Sequence, residues 1–250
     1  NIKIAKKLID VAKKAGADYV KFQTFKTKNL VRINTKVTNY QRKNLGRKTS
    51  QFNLLKKLEL SKIDHKKIIQ YSNKKKISFM SSPFDLDSLN LLFNLNIFDI
   101  KIASGEINNF IFLKKLAKKA KKIFLSTGMS NLNEVLKAVK ILIKNGAKKN
   151  LITVLHCHTA YPTKLKDVNL LAMKTMQEKF KINIGYSDHT LGNETSIAAV
   201  ALGANVIEKH ITLNKKMKGP DHKASMEPKL FHNFVKSIRN TEILLGSKIK

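Results

Sequence analysis

Cysteine is nearly missing from this chain: Cys157 is the single one among 250 residues. One thiol can form no intramolecular disulfide and no thiolate cluster for a metal, which fits a reducing compartment. Long apolar runs are missing too. None approaches the roughly 20 residues that a membrane-spanning helix needs, and the N-terminus shows no charged segment, apolar stretch and small-residue cleavage site of a signal peptide. These absences predict a soluble, cytoplasmic protein with no membrane partner. No glycine-rich phosphate fingerprint follows an early strand candidate, so a dinucleotide-binding doubly wound sheet has little support. Linkers, low-complexity tracts and a second domain are not found, and residues 1–250 are expected to form one domain.

Acidic residues are scarce, 17 against 49 Lys and Arg, for a formal charge of +32. Taken alone, that balance favours a polyanionic partner such as nucleic acid. The lysines are spread from end to end, however, as in Lys13-Lys14, Lys74-Lys75-Lys76, Lys114-Lys115 and Lys118-Lys119, mostly on the polar side of helical patterns. Solvated helix faces look like this. The expectation is a compositional bias toward Lys and no specific nucleic-acid binding.

What the chain does have is 42% hydrophobic residues, enough for one sizeable core, and a steady alternation of two patterns. Short β-branched or aromatic runs predict strands at 18–25, 77–83, 98–103, 122–127, 152–158, 182–187 and 205–212. Amphipathic stretches predict helices at 4–14, 63–75, 86–95, 110–121, 132–145, 170–180, 194–202 and 230–245. Ser61, Asp85 and Asn131 stand as helix N-caps, and Gly16, Gly146 and Gly203 stand where helix C-termini need a left-handed residue. Repeated βα units predict an α/β fold with a parallel sheet, here a (β/α)8 TIM barrel. Seven units are visible and the chain opens inside a helix, so the first strand is expected to be missing from this chain. The stretch 26–52 reads as a long polar loop over the strand C-termini.

Nearly every strand candidate ends in polar residues, and in a βα barrel those ends share one rim. The period of two puts Lys21 and Gln23 on one face of their strand, toward the barrel interior, and points Glu208 and His210 together. Interior lysines are costly unless they meet an anion, so Lys21 and Lys101 suggest a bound phosphate or carboxylate. The alternative is an internal pair with Glu106 or Glu208. His189 and His210, at two strand ends, are candidate metal ligands, although a lone strand histidine is more often a hydrogen-bonded core residue. His65 and His232 fall on helical stretches and are expected at the surface; His222 lies in a loop where either role is open.

Eight stretches carry a likeness to a known family: Lys21-Phe22-Gln23-Thr24-Phe25, Ser82-Pro83-Phe84-Asp85, Lys101-Ile102-Ala103-Ser104-Gly105-Glu106, Ser126-Thr127-Gly128-Met129, Leu155-His156-Cys157 with Tyr161-Pro162-Thr163, Gly185-Tyr186-Ser187-Asp188-His189-Thr190, Ile207-Glu208-Lys209-His210, and Gly219-Pro220-Asp221-His222-Lys223-Ala224-Ser225. In this order and spacing they resemble the N-acetylneuraminate (sialic acid) synthase family, which includes the legionaminic acid synthases. The resemblance implies condensation of phosphoenolpyruvate with an N-acetylated amino sugar, giving a nonulosonic acid and phosphate. It assigns a divalent metal, Mn2+ or Mg2+, to His189 and His210. Lys21, Ser82, Lys101, Ser104 and Ser187 match residues that bind phosphoenolpyruvate, and Gln23, Glu106, Tyr161, Asp221 and Ser126 match residues that face the sugar. Lys21, Lys101, Glu106 and Asp221 are thereby implied in catalysis. The same resemblance implies a homodimer in the full-length form and a C-terminal antifreeze-like domain that is not in this chain; His158 and Thr159 depart from the family's usual residues. Two other functions stay open: a related metal-dependent aldol-type barrel enzyme, and a non-catalytic basic barrel that binds anions or nucleic acid.

Overall fold

A computed structural model describes residues 1–37, 50–247 and 249. Seven strands, β1 (Tyr19–Thr24), β2 (Ser78–Pro83), β3 (Asp99–Ile102), β4 (Lys122–Ser126), β5 (Ile152–Cys157), β6 (Asn183–Asp188) and β7 (Ile207–Lys209), form one sheet in the order β1-β2-β3-β4-β5-β6-β7. Every pairing is parallel. The sheet curls, because side chains from its two edge strands meet: Lys21 Nζ on β1 lies 3.0 Å from Glu208 Oε2 on β7. This is the TIM-barrel arrangement with seven strands; the eighth strand that closes such a barrel is not among the described residues.

All seven predicted strands are present, with bounds mostly shortened by one to three residues and β6 extending one residue further, to Asp188. The helices α1 (Ile2–Ala15), α2 (Thr27–Leu30), α3 (Gln51–Lys56), α4 (Lys62–Lys74), α5 (Leu86–Asn94), α6 (Phe110–Ala117), α7 (Leu132–Lys144), α8 (Leu171–Phe180), α9 (Glu194–Ala201) and α10 (Pro228–Leu245) include every predicted one. Capping chemistry sets several of their starts. Ser61 with Asp64 and Asn131 with Glu134 form reciprocal capping boxes, and the Asp85 side chain accepts from Ser88 N–H. The helix predicted over 110–121 stops at Ala117, and part of the predicted loop is helical. There α2 is held by Glu59, whose Oε2 accepts from Thr27 N at 3.0 Å and Thr27 Oγ1 at 2.8 Å. Residues 38–49 of that loop lie outside the described residues.

Side chains alternate strictly along each strand. Outward positions such as Val20, Phe79, Ile100, Ile102, Ile123, Leu125, Val154 and Ile184 join α1, α4, α5, α6, α7, α8 and α10 in one large buried layer. Inward positions make a second, small core of Met80, Phe124 and Leu155, with Tyr19 and Val206 packed against it. Below this plug, Tyr19 Oη donates to Asp99 Oδ2 at 2.7 Å and Lys122 Nζ donates to Tyr19 Oη at 3.1 Å. The plug thus separates this small polar group at the N-terminal end from the inward polar side chains that collect at the C-terminal rim.

Gly185 is what lets β7 approach β6 inside this barrel. A Cβ there would lie 2.6 Å from Leu155 Cδ2 and 2.9 Å from Val206 Cβ, and would also collide with the Val206 carbonyl oxygen, a backbone atom that cannot step aside. Gly185→Ala is accordingly expected to destabilise the fold by about 1–3 kcal/mol through overpacking. Urea denaturation checks this, and an unchanged midpoint would count against the tight β6–β7 contact.

One expectation fails. His65 is not at the surface: it is fully buried under β1, its Nε2 2.8 Å from Thr24 Oγ1 and its Nδ1 2.8 Å from the Ser61 carbonyl oxygen. The face of α4 that turns inward is His65, Ile68 and Ser72, so its buried stripe is largely polar and does not look like a core face in sequence. His232 is exposed on α10, as expected.

Candidate active site

The rim is built by the inward parity of the strands. Lys21 and Gln23 from β1, Ser82 from β2, Lys101 from β3, Ser126 from β4, Cys157 from β5, Ser187 from β6 and Glu208 from β7 continue the positions of Tyr19, Met80, Asp99, Phe124, Leu155, Gly185 and Val206. His189 and His210 stand one step beyond the ends of β6 and β7 on the same face. Residues scattered over most of the chain thus converge because the sheet curls.

Glu208 is the hub. Its carboxylate takes Lys21 Nζ at 3.0 Å, stands 4.0 Å from Lys101 Nζ, and accepts from Ser187 Oγ at 2.8 Å. Burial alone would raise its pKa, but the two ammoniums, with the Ser187 hydroxyl, hold it well below the usual carboxylate range. Lys101 is only 4% exposed, and burial pushes it down to about 8 against the pull of Glu208, with Lys21 pushing the same way. Its ammonium also donates to the Ile102 carbonyl at 3.1 Å. One carboxylate facing two ammoniums leaves a local excess of positive charge, which suits an anion. Glu106 is not the lysines' partner: it sits half-buried in the turn after β3 and accepts from Asn109 Nδ2 at 2.8 Å.

Beside the hub the two histidines face each other, ring centroids 5.5 Å apart, and Tyr161 lies 4.1 Å from the His189 ring and 5.7 Å from the His210 ring. His189 Nδ1 is 2.6 Å from the carbonyl oxygen of His158. A carbonyl can only accept, so Nδ1 carries the proton and Nε2 keeps its lone pair for a ligand. Burial pushes both imidazoles below their ordinary pKa, His210 to about 3 with Lys21 and His189 adding to the shift. Both are neutral at pH 7, the form that binds a metal. Among the described residues no group of three or more His, Cys, Asp or Glu forms a metal cage. A cation here would have two nitrogens from the protein and would complete its shell with oxygen atoms of substrate or solvent, a donor set that fits Mn2+ better than Mg2+.

The remaining expected residues fall at the same end of the barrel. Ser82, Ser126 and Ser187 are buried, Gln23 is exposed, and Ser104 Oγ lies 3.4 Å from Cys157 Sγ. Gly128 N–H donates to that sulfur at 3.2 Å, and a Cβ on Gly128 would overlap Ser104, so the β4 and β3 loops can close together only around a glycine. Asp221 stands half-buried on the loop after β7, where its carbonyl accepts from Ser225 Oγ at 2.8 Å. In the same loop His222 Nδ1 lies 2.7 Å from Thr212 Oγ1. The motifs left Glu208 out of the ligand-binding set, although the count of two along β7 already turned it inward with His210.

Comparison with known proteins gives one consistent picture. A model of the NeuB family matches residues 8–250. The chain is 50% identical, over its whole length and 75% of the relative's, to the N,N'-diacetyllegionaminic acid synthase of Campylobacter jejuni subsp. jejuni serotype O:2. It is 43% identical, over 99% of its length and 70% of the relative's, to the N,N'-diacetyllegionaminic acid synthase of Legionella pneumophila subsp. pneumophila. Among solved structures, the N-acetylneuraminic acid synthetase of Leptospira borgpetersenii serovar Hardjo-bovis, in complex with citrate, superimposes with a TM-score of 0.86 at 32% identity, covering 100% of this chain and 82% of that one.

Proposed function

The chain belongs to the NeuB family and is an enzyme of the nonulosonic acid synthase type, and from that premise we propose that it condenses phosphoenolpyruvate with an N-acetylmannosamine-type sugar to give a nonulosonic acid and phosphate. One observation carries the proposal: two lysines from β1 and β3 meet at one half-buried carboxylate on β7, and two neutral histidines from the ends of β6 and β7 stand ring to ring at the same rim. Phosphoenolpyruvate has two anionic ends, and Lys21 and Lys101 offer two cations.

In this proposal Lys21 and Lys101 hold the carboxylate and phosphate of phosphoenolpyruvate, with the hydroxyls of Ser82, Ser104 and Ser187 fixing its orientation by hydrogen bonds. Gln23, Glu106, Tyr161, Ser126 and Asp221 face the sugar. His189 and His210 hold the divalent cation, which when bound supplies Lewis acidity to the open-chain sugar's aldehyde oxygen. Glu208 draws both ammoniums inward before substrate arrives, so the cradle is preorganised. The apolar plug of Met80, Phe124 and Leu155 beneath them keeps water from entering from below.

The lysine cradle is tested on Lys101→Met. A charge-assisted contact contributes about 1.5–3 kcal/mol, so the dissociation constant for phosphoenolpyruvate should rise roughly ten- to a hundredfold. Lys115→Met, on an exposed helix face, should change it little. The opposing idea, in which Lys101 serves only to pair with Glu208, predicts a lower melting temperature with ligand affinity intact. That combination would rule the cradle out.

A further inference from the structure

On the outer face of the barrel, directly behind the histidines, lies a second buried ion pair. Asp188 on β6 and Lys209 on β7 are register partners, and Lys209 Nζ is 2.8 Å from Asp188 Oδ2 with the side chains 3% and 0% exposed. Asp188 Oδ1 accepts from Thr190 N at 2.8 Å and from Thr190 Oγ1 at 2.7 Å, while Oδ2 accepts from Ser196 Oγ on α9 at 2.6 Å. Lys209 Nζ donates in addition to the Thr190 carbonyl at 2.7 Å. Thr190 is therefore gripped at its N–H, its hydroxyl and its carbonyl.

Stability does not explain this arrangement. A buried ion pair roughly breaks even, because desolvating two charges offsets their attraction, and apolar residues of similar size would pack the same space. Fixed geometry is what the pair adds. It ties the residue before His189 to the residue before His210, and side chains alternate, so the two imidazoles are the next groups on the inner face. His189 is secured further by its Nδ1 bond to His158 and by Thr163 N–H, which donates to the His189 carbonyl at 2.9 Å. Met226 N–H secures the His210 carbonyl at 2.8 Å. The separation of the two rings depends on how β6 and β7 are held, and Asp188 with Lys209 is the charged link between them.

We propose that Asp188 and Lys209 are positioning residues that set the spacing and orientation of the His189 and His210 imidazoles for a divalent cation. The inference rests on the metal role of that histidine pair. Its test uses Asp188→Asn and Lys209→Met, with Arg239→Met as a control that breaks an ion pair of 2.7 Å to Asp18 elsewhere in the molecule. Two readouts are taken: 15N signals of the histidine rings in metal-free protein, which report tautomer and surroundings, and Mn2+ affinity by calorimetry. Both variants should shift the His189 and His210 ring signals and weaken Mn2+ binding by up to about tenfold, the low end of the cost of losing a group bonded directly to a metal ligand, because neither side chain touches a ring; Arg239→Met should do neither. Folded variants with wild-type ring signals and wild-type Mn2+ affinity would overturn the proposal. Should a single variant fail to fold, the double variant Asp188→Asn/Lys209→Met strands no charge and is held to the same two criteria. Ring signals that shift in variants of a protein whose wild type ignores Mn2+ would support the positioning role and sink the metal role instead.

Discussion

Replacing His210 with Ala is expected to lower Mn2+ affinity by more than about a hundredfold, and His189→Ala should do the same. Loss of an outer-shell partner already costs ten- to a hundredfold in metal sites, and here a ligand itself is removed from a set to which the protein gives two. No third protein ligand is at hand among the described residues to take its place. Burial keeps both imidazoles neutral, and His210 is held down to about 3, so protons should compete little with the metal near neutral pH. The same shift has a sign for stability: below the unfolded value of about 6.5 only the unfolded chain takes up that proton, so His210 works against the fold as pH falls. Calorimetric titration of the two variants decides the matter, and unchanged Mn2+ affinity in both would show that the cation, if any, binds elsewhere.

Glu208→Gln should be the most destabilising substitution at the rim. It removes the one carboxylate that faces Lys21 and Lys101 and leaves Lys101, nearly sealed from water, without a counter-charge. Breaking a buried pair in this way costs about 3–5 kcal/mol. The lower end applies because Lys21 is 23% exposed and water screens part of its charge. Lys101→Met should cost less, since Glu208 would keep Lys21 at 3.0 Å. A second signature separates this from ordinary loss of packing: phosphoenolpyruvate or inorganic phosphate should restore much of the lost stability, by supplying the missing negative charge to the same two ammoniums. Urea midpoints measured with and without phosphate give both numbers. A variant as stable as wild type, or one that phosphate leaves unimproved, would remove Glu208 from the centre of the site.

The strands were legible because each is a short β-branched or aromatic run bounded by caps, and the period of two then gave the facing of Lys21, Gln23, Glu208 and His210 directly. What sequence could not give is which inward groups touch. Lys101 had two candidate carboxylates, Glu106 nearby and Glu208 far along the chain, and only the curl of the sheet, which brings β7 against β1, selects the distant one. Parity also splits a polar run that looked uniform: in Ser187-Asp188-His189 the first and third residues enter the rim, while Asp188 turns outward to Lys209. His65 misleads for a related reason, since hydrogen bonds to Thr24 and Ser61 satisfy it in the core and no apolar pattern announces that burial.

The alternation of inward and outward side chains bears on how this protein can evolve. On most strands the packed layer and the chemistry occupy odd and even positions of one backbone, so a change at Gln23 or Ser126 alters what the rim meets without opening a hole beneath the helices. Substrate preference can then drift while the scaffold stands still. At the ends of β6 and β7 that freedom is lost, because Asp188 and Lys209 place polar groups on both faces at once. Variation among descendants of such a chain should be wide along the early strands and narrow at those two strand ends.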